Sequence, residues 1–221
     1  TLGRPVDAEA AVQRAADIRT RIGSPIFSSR IPVALARDLL AQGRATEALA
    51  VVDDTQSKTR AAAQAHPDQW VDEVLASSLQ LERARALLAL GQPAEAEKLL
   101  RDLLASTRAS QSPAFFETLQ SDASLALAEQ SLAANRLADA ASLAKSALIW
   151  RQSRQSADSP GLLEAHAILA RALLRLGRGA EADEHFREAR RIARQHKALG
   201  PQYQRLVDNA ASSARPGQRL Q

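Results

Sequence analysis

Two histidines in the C-terminal third have the side chains best suited to acid–base or metal chemistry. His166 and His185 lie on the two helices of the last predicted hairpin, where we expect them to approach each other, and Glu181 precedes His185 by one helical turn. Imidazole is a common general base and metal ligand near neutral pH. No metal-binding motif accompanies the pair, so we interpret it as structural and predict no catalytic, metal or cofactor site.

Other catalytic chemistries lack their characteristic residues. The chain contains no cysteine, which excludes disulfides, thiolate metal sites and cysteine nucleophiles. Its serines lie outside any Gly-x-Ser-x-Gly elbow, and the sequence has no glycine-rich phosphate loop. The sequence therefore predicts that this chain is not an enzyme and favours a binding function.

Composition favours packed helices. Hydrophobic residues make up 45% of the 221 residues and aromatic residues only 3%, so we expect a core of Ala, Leu, Val and Ile. No stretch of 18 apolar residues occurs, and we predict no membrane insertion within this chain. Because the chain begins at Thr1 and contains no methionine, we expect it to be a piece of a longer protein.

A turn that recurs four times organises the chain. Its central residue is glycine or asparagine, which suits the left-handed conformation at helix ends. Alanines follow and precede each turn at constant spacing, and such small side chains let antiparallel helices approach closely. The turn residues are Gly43, Gly91, Asn135 and Gly177, spaced by 48, 44 and 42 residues; the alanines are Ala48, Ala96, Ala140 and Ala182 after the turns and Ala36, Ala84, Ala128 and Ala170 before them.

Dipeptides that end in proline mark the starts of three helix pairs, at His66-Pro67, Ser112-Pro113 and Ser159-Pro160. Together with the turns they predict hairpins at about 31–65, 67–109, 113–155 and 159–197. Residues 1–30 are predicted to hold an N-terminal helix and a loop, 201–213 a capping helix, and 214–221 a disordered tail. The predicted fold is all-α, a right-handed solenoid of about four antiparallel hairpins over 31–213.

The Leu, Ala and Gly pattern over Leu87–Leu100 and Leu169–Gly177 resembles tetratricopeptide repeats. The long spacing and the proline dipeptides resemble the long-helix, kinesin-light-chain-like variety over residues 31–197. The repeat pattern is broken at Thr55, Arg83 and Ser131, where other hairpins carry alanine or leucine. The resemblance implies a scaffold that binds a protein or peptide.

The block from Ala147 to Ala193 resembles the last repeat of the regions that follow the kinase domain in bacterial eukaryotic-like serine/threonine kinases. This narrower resemblance implies the sensory or interaction domain of a larger signalling protein. It also implies a location outside the cytoplasm if a membrane span precedes Thr1, and in the cytoplasm otherwise.

In tetratricopeptide arrays the first helices line the concave face, so the resemblance implies that residues six positions before each turn point into a groove. Guanidinium groups there suit an acidic peptide or a free carboxylate, because each fork donates to two oxygens. The predicted groove residues at these positions are Arg37, Arg85, Glu129 and Arg171; Arg175 extends the row, and Val33, Leu81 and Leu125 form an apolar floor.

Alternative interpretations of these side chains stay open. The groove arginines could instead pair with acids such as Glu129 or stay solvated. A basic stripe on the last hairpin could contact phosphate, as in a transcriptional or other nucleic-acid-associated regulator, although interleaved glutamates favour a salt-bridged face. The stripe comprises Arg187, Arg190, Arg191 and Arg194. Trp70 and Trp150 could serve as binding anchors, but we expect them to pack between hairpins. One of Phe115 and Phe116 is a candidate exposed contact.

Overall fold

The computed structural model describes residues 30–65, 73–110 and 113–196, together with Ala10, Arg14, Tyr203 and Leu206. Within these residues the chain is all-α, without strands, which confirms the predicted fold class; the handedness of the solenoid stays a prediction. Most of the predicted N-terminal helix and loop, capping helix and tail lies outside the described residues. The helices are α1 (Ile31–Ala41), α2 (Ala45–Ala65), α3 (Glu73–Ala89), α4 (Pro93–Ala109), a 3-10 turn (Pro113–Phe116), α5 (Glu117–Ala133), α6 (Leu137–Arg154), α7 (Pro160–Arg175) and α8 (Gly179–Gln195).

All four predicted turns close with the same pair of backbone hydrogen bonds. After α1, the Gly43 amide donates to the Leu40 carbonyl at 3.0 Å and the Arg44 amide donates to the Leu39 carbonyl at 2.9 Å. This arrangement is a Schellman motif, and it requires a left-handed residue, here Gly43 with φ of 79°. Equivalent bonds close the turns at Gly91, Asn135 and Gly177, all with positive φ, so the predicted left-handed caps are confirmed.

The second helix of each pair begins directly after the cap. The Arg44 carbonyl accepts from the Ala48 amide at 3.0 Å, so Arg44 ends one turn and starts α2. Its guanidinium also donates to both carboxylate oxygens of Glu47, at 2.7 and 2.6 Å, and this bond holds the pKa of Glu47 below its ordinary value. Arg178 and Glu181 repeat the arrangement at 2.6 Å for both bonds. At these two turns the acid is thus paired with an arginine as well as placed in the first helical turn.

The alanines before and after the turns are buried as predicted. All eight have 0% of their surface exposed. At such positions a larger side chain would push the paired helices apart or force a strained rotamer. The small residues therefore set the helix-to-helix distance within each hairpin.

The chain divides into two compact units, Thr1–Leu119 and Gln120–Gln221. In the first unit a core cluster joins α1, α2 and α3, and it includes Val33, Leu39, Val52, Leu75 and Leu79. In the second unit a larger core cluster joins α6, α7 and α8 with the part of α5 that belongs to this unit, and it includes Leu132, Leu148, Leu163, Ile168 and Phe186. Each unit therefore buries its own apolar faces.

The three residues that depart from the repeat pattern occupy different environments. Thr55 is buried and its hydroxyl donates to the Val51 carbonyl at 2.7 Å, one helical turn back. Arg83 reaches across to α2 and pairs with Asp53. Ser131 is fully buried, and its hydroxyl has no hydrogen-bond partner among the described residues. Each departure is accommodated without interrupting its helix.

Replacing glycine by alanine should have opposite effects at two positions of the last turn. Gly177 has φ of 79°, where a side chain costs about 1–2 kcal/mol, so Gly177→Ala should lower the free energy of unfolding by about 1 kcal/mol. Gly179 begins α8, and no described neighbour lies within 4 Å of an added Cβ, so Gly179→Ala should raise it by about 0.5 kcal/mol. Urea denaturation followed by circular dichroism measures both, and changes of the same sign would contradict the left-handed cap.

Candidate functional site

The predicted groove arginines of the first unit converge on one buried carboxylate. Arg37 of α1 donates through Nε to Glu82 Oε1 at 2.5 Å, and Arg85 of α3 donates through Nη1 to the same oxygen at 3.1 Å. The Glu82 side chain is 0% exposed, whereas those of Arg37 and Arg85 are 46% and 25% exposed. The structure thus brings Arg37 and Arg85 together and holds both at the surface.

The predicted groove residues of the second unit have separate roles. Arg171 Nη1 lies 3.6 Å from Glu129 Oε1, which is the pairing with an acid that the sequence left open. Arg175 donates to the Leu132 carbonyl at 2.6 Å and to Asn135 Oδ1 at 2.8 Å, at the turn after α5. Arg175 therefore fastens α7 to the end of α5.

The residues predicted for an apolar floor lie in the core. Val33, Leu81 and Leu125 have only 6%, 0% and 1% of their surface exposed. They offer almost no accessible apolar surface to a ligand.

Sequence reasoning missed Glu82, the residue that joins the two arginines. Its position in the repeat could have revealed it, because Glu82 stands nine residues before the turn residue Gly91. At the same distance before the later turns stand Ala126 and Ile168, both apolar and buried. A carboxylate at a position that is buried in other hairpins must be paired with a donor, and here the donors are Arg37 and Arg85.

A second buried charge, also missed, lies in the second unit. The Arg151 side chain on α6 is 3% exposed and donates to groups on both neighbouring helices. Nε donates to Ser121 Oγ at 2.9 Å and Nη2 to Asp122 Oδ1 at 2.5 Å, both on α5. On α7, Nη1 donates to the Gly161 carbonyl at 2.5 Å and to Glu164 Oε2 at 2.9 Å. Arg151 therefore ties α5, α6 and α7 together from within.

The two histidines approach each other across the last hairpin, as predicted. Their Nδ1 atoms lie 2.9 Å apart and their ring centroids 5.1 Å apart. His166 on α7 is buried, and burial lowers its pKa to about 4, with a smaller contribution from the charge of His185. Burial also lowers the pKa of His185 on α8, which is half-buried. One ring donates to the other, so a single proton lies between the two Nδ1 atoms.

The basic stripe on α8 is partly engaged with protein groups. Arg191 Nη2 donates to Glu188 Oε1 at 2.6 Å and to the Ala157 carbonyl at 2.7 Å. Arg187 Nε donates to the Asp183 carbonyl at 3.3 Å. The Arg191–Glu188 pair matches the salt-bridged face that the interleaved glutamates predict.

Of the four aromatic residues considered as contacts, the structure describes the side chains of two. Phe116 is buried, so it is not the exposed contact of the Phe115–Phe116 pair. Trp150 on α6 is half-buried. Trp70 and the side chain of Phe115 lie outside the described residues.

An open groove with both polar and apolar lining, which sequence reasoning also missed, runs between α2 and α3 in the first unit. Its volume is about 810 Å³, within the range of small-molecule sites. Its polar lining includes Asp53, Ser57, Arg60, Ser77, Gln80 and Arg83. Hydroxyls and amides at helical spacing look like an ordinary solvated face in a sequence, so no signal distinguished them.

Comparison with protein-family models and with curated proteins finds no match for this chain. No helix in the described ranges combines the length and apolar character needed to cross a membrane. Over those same ranges no cluster of three or more His, Cys, Asp or Glu side chains is arranged to hold a metal ion.

Replacing Arg151 should be among the most destabilising changes in the second unit. Arg151→Met leaves Asp122 and Glu164 without this partner, and we expect a loss of about 3 kcal/mol in unfolding free energy. Arg187→Met, the same exchange at an exposed arginine, should change it by less than about 0.5 kcal/mol. Urea denaturation measures both variants, and equal losses would contradict the structural role of Arg151.

Proposed function

We propose that this chain is a non-catalytic module that binds a protein or peptide. We propose further that it is the sensory or interaction domain of a larger bacterial signalling protein, such as a serine/threonine kinase. The observation that carries the proposal is the pair of surface arginines, Arg37 and Arg85, which the buried Glu82 holds at equivalent positions before two successive turns.

The arrangement in the first unit suits a carboxylate. Glu82 accepts from both arginines, and 46% of the Arg37 side chain and 25% of the Arg85 side chain remain exposed beside it. An arginine already held in place loses less side-chain entropy when a ligand binds. In the second unit Arg171 faces Glu129, and the two charges offset one another. The first unit is therefore the preferred contact for an acidic peptide segment or a C-terminal carboxylate.

The alternative of a nucleic-acid-associated regulator receives less support. Phosphate binding depends on cations that can reach the backbone, and it weakens steeply with salt. On α8 the acids Glu188 and Glu184 lie in the same surface depression as Arg187, Arg191 and Arg194. Their negative charge opposes the approach of a polyanion.

A single exchange in the first unit should weaken peptide binding without disrupting the fold. Arg37→Gln leaves Arg85 paired with Glu82, so the buried carboxylate keeps a partner. We expect this variant to bind fluorescein-labelled acidic peptides with free C-termini about tenfold more weakly, because one charge-assisted hydrogen bond is lost. Fluorescence polarisation measures the affinity, and the melting temperature checks the fold.

Two comparisons make this test specific. Arg101→Gln changes an arginine that is 57% exposed and pairs with Glu97 on α4, and it should leave peptide affinity unchanged. The same peptides with amidated, uncharged C-termini show how much of the affinity depends on the C-terminal carboxylate. Equal effects of Arg37→Gln and Arg101→Gln, or no binding of any acidic peptide, would overturn the proposed site.

A further inference from the structure

The contact between His166 and His185 places two metal-ligating nitrogen atoms at one point in the last hairpin. Both imidazoles meet through Nδ1 at 2.9 Å, although the residues are 19 positions apart and lie on different helices. We infer that these two histidines form a binding site for one transition-metal ion of the Zn²⁺ class. This inference is independent of the peptide-binding proposal, which concerns arginines of the other unit.

The distance between the nitrogens is close to what a shared metal ion requires. Zinc binds imidazole nitrogen at about 2.0–2.1 Å, so two tetrahedral ligands lie about 3.3 Å apart. The rings must therefore separate by about 0.4 Å and turn, so that both Nδ1 lone pairs point at the ion and no longer at each other. His166 is enclosed by the core, whereas His185 is half-buried, so the His185 side chain makes this adjustment.

Metal binding needs both Nδ1 lone pairs. Without metal, one ring carries its proton on Nδ1 and donates to the other. When the ion enters, that proton moves to Nε2 of the same ring, and both histidines stay neutral. The ion then replaces the shared proton as the link between α7 and α8, and water fills its remaining positions.

Charges of both signs surround the pair. Glu188 acts on His166, with Arg191 opposing it. Glu181 and Glu184 act on His185, with Lys145 opposing them. Glu188 is itself paired with Arg191 and Glu181 with Arg178, so the inference depends on the two imidazole nitrogens and not on the charge around them.

The donor set also predicts which ions bind. Imidazole nitrogen suits Zn²⁺, Cu²⁺ and Ni²⁺, whereas Mg²⁺ and Ca²⁺ require oxygen ligands. The described residues hold no third histidine or carboxylate in a ligating arrangement. The site is consequently a two-histidine site with open positions and exchangeable metal.

The test is isothermal titration of chelator-treated, tag-free protein with Zn²⁺ alone and with Mg²⁺ alone. We expect one Zn²⁺ per chain and no Mg²⁺. His166→Gln and His185→Gln should each weaken Zn²⁺ binding at least about tenfold, since each removes one of two protein ligands. His196→Gln is the matched control: its Nε2 contacts the Asp158 carbonyl outside the pair, and Zn²⁺ binding should be unchanged.

Because His166 is buried, its variant could fail to fold, and His185→Gln with its melting temperature keeps the test decisive. In the wild-type chain, nitrogen NMR should show Zn²⁺ shifting both Nδ1 resonances. Absence of Zn²⁺ binding, full binding by His185→Gln, or equal binding of Mg²⁺ would overturn the inference.

Discussion

The close approach of paired helices at alanine contacts is the constraint on which the rest of the structure depends. All eight alanines that flank the turns are completely buried, so no larger side chain separates the helices there. Closely spaced helix axes permit very short connections, and the Schellman cap provides them with one left-handed residue. The residue after that cap already starts the next helix. Turn and contact are therefore two consequences of the same packing.

A core built from small residues leaves a role for buried polar groups. Three buried polar residues each form a hydrogen bond to another helix of the same unit: Glu82, Arg151 and His166. Burying such groups is costly unless every bond is made, so they select one arrangement of helices over others of similar hydrophobicity. Alanine side chains are too small and uniform to specify how two helices pack. These polar contacts therefore help to specify the arrangement of the helices.

Arginines on the first helices of the hairpins have different uses in the two units. Arg37 and Arg85 share a buried carboxylate and remain partly exposed. Arg175 instead donates to a backbone carbonyl and to Asn135, which fastens a turn. The neighbouring groups on other helices therefore decide how each arginine is used.

The sequence by itself determined the all-α class, the four turns, the buried alanines and the approach of His166 to His185. These features depend on local backbone preference and helical periodicity, which act over one or two helices. Only the tertiary structure decided that Glu82 would join Arg37 to Arg85, that Val33, Leu81 and Leu125 would be buried, and that Arg151 would be enclosed. Those outcomes depend on which side chain on another helix lies within hydrogen-bond distance. No spacing along one chain specifies that distance, because a small rotation of a helix exchanges one neighbour for another.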